Sequence, residues 1–266
     1  MSVRSARLSM ALLIAAPFAA APLSAQGVEY AAGTTKYRIS TTTKGTQSSP
    51  MGSGNFEVGV QQQLTVNLMK HAKDTVMATI TFDSVAISSS AGPAPDASTL
   101  VGKHLVSLVS PTGKFYSAKP VDGIDPALSS ITEGVSHLLP TYRSNLTTGM
   151  TWADTVSGKV NQQGMALDRT TVTTYKVSGD TTISGQKALR VERNANIKAA
   201  GSGTMQNTPM TMETVGNSTG AFFVTPKGAF LGSTNTDDVN LKITILAQNT
   251  EITIKQVVQT KTEAIK

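Results

Sequence analysis

The chain is 266 residues long, contains no cysteine, and carries a formal charge of +6 that is scattered without a basic run. The absence of cysteine excludes disulfides, thiol nucleophiles, thiolate-bound metal clusters and a lipid-acceptor cysteine, so a packed core must hold the fold together. Nucleic-acid binding would need clustered cations; the excess here suits solubility and mild attraction to anionic envelope surfaces.

Residues 1–25 have the three parts of a secretory signal peptide. Arg4 and Arg7 make a positive start, residues 8–21 are apolar and rich in alanine, and small residues precede Gln26, the predicted first residue of the mature chain. The apolar stretch is too short and too weakly apolar to suit a retained anchor, and the separated arginines fit general secretion. No later segment is apolar enough to cross a bilayer as a helix.

Beyond the leader, apolar residues alternate with polar ones. Phe56, Val58, Val60, Leu64, Val66 and Leu68 take even positions, which predicts a long strand with one buried face. A turn over residues 71–74 leads to a strand carrying Val76, Ala78, Ile80 and Phe82. Val85 and Ile87 then continue on odd positions, so a β-bulge is predicted near Asp83 and Ser84. Similar runs hold Leu189, Val191, Ala195 and Ile197, and later Val239, Leu241, Ile243 and Ile245. Ile252, Ile254 and Val258 follow a polar turn at Gln248 and Asn249, which predicts a closing hairpin. The fold class is therefore mainly β, with long curved antiparallel sheets. Residues 88–98 and 201–209, rich in small and polar types, read as loops.

One segment has helical spacing instead. Asp125 as cap, Pro126 in the first turn and Pro140 as a stop predict a single amphipathic helix. Leu128, Ile131, Val135 and Leu138 form its apolar stripe, expected to face the concave side of a sheet, with Ser129, Thr132, Glu133 and Ser136 toward water.

The chain also echoes itself. Pro111-x-Gly113-x-Phe115 matches Pro226-x-Gly228-x-Phe230, and at nearly the same offset the stretch from Gly33 to Tyr37 resembles that from Gly149 to Ala153. Each half is expected to hold a strand, a turn containing Asp74 or Asp180, and another strand. This predicts a duplicated β-unit: residues 26–120 as the first copy, 121–147 as a helical connection and 148–266 as the second.

With its aromatic opening strand, the Thr-Phe-Asp-Ser-Val stretch at 81–85, the Gly149-x-x-Trp152 step and the two Pro-x-Gly-x-Phe hairpins, the chain resembles uncharacterised exported β-rich proteins of bacteria, a domain-of-unknown-function family. That resemblance implies architecture and brings no catalytic residues. More loosely, long curved strands with one helix are similar to periplasmic lipoprotein carriers, whose half-barrel shelters acyl chains.

Motifs that could carry chemistry have simpler readings. Gly216-x-Ser218-x-Gly220 fits a nucleophile elbow, but no histidine follows His137 in the chain, so it reads as a polar turn. Ser184-x-x-Lys187 lacks its companion motifs. His71, His104 and His137 have no metal-ligand spacing, and Asp237-Asp238 reads as a turn poorly placed for paired acid–base work. Met205, Met210 and Met212 could offer thioethers to Cu(I), but lack His or Cys beside them and suit packing better. Trp152, the single tryptophan, is expected to anchor the core through an indole hydrogen bond to a carbonyl. No catalytic residue, cofactor or metal is expected; Leu128, Ile131, Val135, Leu138, Trp152, Met210 and Met212 are the candidates for pocket or core lining.

The leading expectation is an exported, non-enzymatic protein of the periplasm or extracellular space that binds an apolar or lipid-like ligand. The competing expectations are an envelope interaction protein that docks through sheet edges, and an outer-membrane barrel, which the low aromatic content of 5% disfavours. A hydrolase is the weakest alternative.

Overall fold

The structure, a computed structural model, describes residues 28–50, 52–119, 123–125, 128–162, 165–205 and 208–265. The predicted leader, Gln26, and Pro126 at the predicted helix start lie outside them.

Alternation resolves into eleven strands of unusual length: β1 (Gly33–Ser49), β2 (Gly52–Ala72), β3 (Thr75–Ser89), β4 (His104–Val109), β5 (Phe115–Lys119), β6 (Thr151–Gln162), β7 (Met165–Ile183), β8 (Gln186–Met205), β9 (Thr208–Val224), β10 (Phe230–Ile245) and β11 (Thr250–Ile265). β2 alone has 21 residues; at the usual rise it reaches roughly 70 Å. All pair antiparallel in one sheet ordered β5-β4-β3-β2-β1-β11-β10-β9-β8-β7-β6. The chain thus starts at the centre, meanders to one edge, crosses to the other through α1 (Ser129–Ser136), and meanders back until β11 closes on β1. Among the described residues no pairing joins β5 to β6, so the sheet is open along that side.

The predicted bulge is where the phase change put it. Leu64 pairs with Phe82 and Gln63 with Ser84, leaving Asp83 as the extra residue. The closing hairpin turns at Asn249, whose φ of 47° is the left-handed conformation asparagine tolerates.

Four local expectations are corrected. Residues 201–205 belong to β8, with Thr208 already in β9, so no long loop exists there. Gly216–Gly220 and Asp237–Asp238 lie inside β9 and β10. Asp180 lies within β7, and the turn comes at Ser184 and Gly185, both at positive φ. The reason is common to the first two: glycines that look like turn signals instead sit where strands press together. A Cβ on Gly201 would meet the carbonyl oxygen of Ala166 at 2.0 Å, and one on Gly220 that of Thr234 at 2.3 Å.

The helix is also shorter than predicted. α1 ends at Ser136, before Leu138; ahead of it the Leu128 N–H donates to the Asp125 carbonyl oxygen at 2.9 Å, and residues 126–127 lie outside the described ones. Leu128 and Val135 are fully buried, and Ile131 and Leu138 pack partly buried against the same core, so the stripe faces the sheet. Ser129 and Glu133 are exposed, but Thr132 and Ser136 are buried, contrary to expectation. Each hydroxyl returns its proton to the helix itself, Thr132 to the Ser129 carbonyl and Ser136 to that of Glu133, which makes burial tolerable.

The two echoed turns have one geometry. Ser110 N–H donates to Lys114 O and Gly113 N–H to Ser110 O; Thr225 and Gly228 repeat both bonds with Ala229 and Thr225. The Ser110 and Thr225 hydroxyls accept from the amides of Lys114 and Ala229. Gly113 and Gly228 have φ of 87° and 83°. They join the fourth to the fifth strand and the ninth to the tenth. Between them runs the segment that opens the described chain: Tyr30 N–H donates to Pro111 O and its hydroxyl to Pro140 O, while Glu29 lies against Gly228 so closely that no Cβ could stand there.

Candidate functional site

Along β9, one face reads Met210, Met212, Thr214, Gly216, Ser218, Gly220, Phe222 and Val224. The apolar ends belong to two separate buried clusters. Beside the Phe222 end the sheet carries short polar side chains on β1 and β11, and α1 lies over them. The result is a cavity of about 490 Å3, within the range of about 300–1,000 Å3 usual for small-molecule sites.

Ile131, Val135 and Leu138 form its helical roof. Ile39, Val58 and Val60 line one side, and Ala221 and Phe222 the other. Its floor along β1 and β11 is threonine: Thr41, Thr43, Thr260 and Thr262. The lining is therefore amphipathic, with aliphatic walls and a hydroxyl-bearing floor.

Two polar side chains stand out. Gln62 is 6% exposed, faces the cavity, and its Oε1 has no hydrogen-bond partner. Arg193 pairs across the sheet with Gly220, which pairs with Asn235, so a residue without a side chain separates the two polar groups. Arg193 Nη2 donates to Ser218 Oγ at 3.1 Å, Ser218 Oγ donates to Asn235 Oδ1 at 3.1 Å, and Asn235 Nδ2 donates to Asp237 Oδ1 at 2.5 Å. Arg193 Nε is buried without a partner, and among the described residues no carboxylate forms an ion pair with this guanidinium. His137 also lines the cavity, its ring 4.2 Å from that of Phe115. Burial, helped by Arg169, holds its pKa below the ordinary imidazole value against the pull of Glu133, so it is neutral at pH 7.

The residues singled out from the sequence divide among three places. Ile131, Val135 and Leu138 line the cavity, and Leu128 lies in the main core beside it. Trp152 does not line the cavity: it packs half-buried against the main core, stacked on Tyr175 at 4.8 Å and 13°, and its indole makes no hydrogen bond among the described residues. Met210 and Met212 are remote from the cavity, buried with Met165 and Leu167. Ser218 is 1% exposed and its hydroxyl is committed to Arg193 and Asn235. Among the described residues no group of three or more His, Asp or Glu is placed to hold a metal ion.

Sequence reasoning missed Gln62 and Arg193, although each leaves a signal. The even positions of β2 are apolar from Phe56 to Leu68 except at Gln62. The odd positions from Leu189 to Ile197 are apolar except at Arg193. A polar residue on the buried phase of a strand is the mark of a built polar site.

No protein-family model and no curated protein matches the chain. Among solved structures, an outer membrane channel from Pseudomonas putida F1 aligns at 9% identity over 90% of this chain and 98% of its own, with a TM-score of 0.23. An outer membrane lipoprotein-sorting protein domain from Vibrio parahaemolyticus aligns at 10% identity over 82% and 83%, with a TM-score of 0.16. At such scores the likeness is loose and architectural.

Proposed function

We propose that the mature chain is an exported, non-enzymatic binding protein whose cavity beneath α1 takes an apolar or lipid-like ligand. The observation that carries this reading is the cavity itself: a single helix held over the concave face of an open sheet, with aliphatic walls on three sides. Helix-on-sheet packing of this kind normally fills its core; here a floor of short threonine side chains lies below α1, and the space between them is unfilled.

The convex face speaks against a lipid-facing barrel. The ion pairs Lys44–Glu57, Arg190–Glu192, Lys242–Glu251 and Lys261–Glu263 all involve exposed side chains on strand positions opposite the buried phase. Such pairs add little stability, but they keep that face wet, where a membrane wall would be apolar. Docking of an envelope partner along the free edge of β6 is the second reading, favoured by Val156, which is 65% exposed on that strand.

Titration of the mature protein with a fluorescent single-chain amphiphile, together with native mass spectrometry of protein purified from its own host, tests the first reading. Saturable binding near one equivalent, or a co-purifying lipid, supports it. A protein that binds no apolar probe and carries none favours the edge-docking reading instead.

A further inference from the structure

We propose that the cavity selects amphiphiles with a carboxylate head group, seated against Arg193, with the hydrocarbon chain under α1; this rests on the cavity being a ligand site. The guanidinium has five N–H donors in a planar fork that suits carboxylate, and here Ser218 takes one at Nη2 while Nε is left buried and unpaired. Nε itself is shut off from the cavity, so a carboxylate would be met by the terminal N–H groups that Ser218 does not take. The Ser218–Asn235–Asp237 chain of hydrogen bonds fixes the side chain from behind. Asp237 moderates the positive charge through that relay without occupying the guanidinium, so one net cation faces the cavity.

The charge balance points to a monoanion. Among the described lining residues Arg193 is the single permanent cation, since His137 is neutral at pH 7. A phosphate dianion would bring a second charge with no partner. A neutral hydrocarbon would offer the Arg193 guanidinium no acceptor at all. Gln62, on the opposite side of the floor in β2, gives a second polar group to a ligand that carries one. The walls between them, from Ile39 and Val60 to Phe222, suit an acyl chain.

The test uses the full mature chain and a matched pair of probes: a fluorescent long-chain fatty acid and the corresponding fatty alcohol. Wild type is expected to bind the acid about tenfold more tightly than the alcohol, equal to about 1.4 kcal/mol. Arg193→Gln should lose the preference, the variant binding acid and alcohol with equal affinity. Arg193→Lys, which keeps the charge but loses the fork, should retain part of the preference, and serves if the glutamine variant does not fold. Equal binding of acid and alcohol by wild type would overturn the head-group assignment while leaving the cavity as an apolar site. Binding of neither probe would remove the cavity reading, and this inference with it.

Discussion

The two ends of the concave face are built from similar residues and covered in different ways. At the near end Phe82, Leu64, Val191 and Phe222 lie under α1, under the opening segment with Val28 and Tyr30, and beside the short 3-10 turn Ala97–Leu100. At the far end Met165, Leu167, Met210 and Met212 are buried just as completely, yet among the described residues the partly buried apolar side chains packed on them come from β8 and β10. Separate elements brought over a sheet can leave a gap between lid and floor, and the cavity lies in such a gap. Adjacent strands close as far as their backbones allow, as the Gly201 contact with Ala166 across the β7–β8 ladder shows. The cavity therefore belongs to the near end, and strand length alone does not supply one.

The sharpest contrast should come from truncating one large side chain at each end. Phe82 has no exposed surface, and Phe82→Ala should cost about 3–5 kcal/mol in urea unfolding. Leu167→Ala, at the far end, should fall near the low limit of its class, about 2 kcal/mol, because fewer elements depend on it. Hydrogen exchange should then rise around residues 165–167 and 210–212 while near-end amides stay protected. Equal losses spread over both ends would show one cooperative core in place of two.

On the lid itself, Ile131→Asp places a charge on the packed stripe and should cost about 2 kcal/mol or more, whereas Glu133→Ala should be close to neutral. Equal melting temperatures for the two would show that α1 does not bear on the sheet. A smaller effect distinguishes packing from metal binding at the far end. Met212→Leu nearly conserves volume and should cost less than about 1.5 kcal/mol. A change in stability on adding Cu(I) to wild type, lost in this variant, would mean the thioethers are ligands.

How far the fold could be read from sequence depended on what each residue type signals. Alternation marked the strands, and the phase change at Asp83 located a bulge, because period-two patterning reports which face is buried. Glycine was ambiguous. Gly113 and Gly228 do make turns, but Gly216 and Gly220 mark a closely packed strand, and composition cannot separate these uses. Thr132 and Ser136 looked solvent-facing because their bonds to the helix backbone are invisible to a polarity pattern. The cavity lining from the helix was legible as a stripe. The polar pair Gln62 and Arg193 was visible as breaks in phase, but nothing in the sequence says that strands five positions apart in the sheet curve toward one space. The matched hydrogen bonds at Pro111 and Pro226, joining strands of equal rank in each half, lead us to propose that residues 26–120 and 148–266 are duplicated units within one sheet.

The smallest expected effect concerns pH at the cavity mouth. The ring of His137 rests on Phe115, and burial lowers its pKa in the folded protein below the ordinary value of 6.5. The unfolded chain then takes up a proton at a higher pH than the folded one, so stability is complete above pH 6.5 and declines as pH falls from there to the folded-state pKa. The ring is partly exposed and Glu133 opposes the shift, so the loss should be slight. His137→Gln, which keeps a polar side chain but cannot titrate, should reduce the fall in melting temperature between pH 7.5 and pH 5.5. An acid probe that remains ionised at both pH values should keep its preference over the alcohol at both. If His137→Gln leaves the pH dependence of stability as it was, other groups govern the acid limb. If instead the variant abolishes acid binding at pH 5.5 alone, protonated His137 is a second head-group contact, and the near end would hold two cations at low pH where it holds one at neutrality.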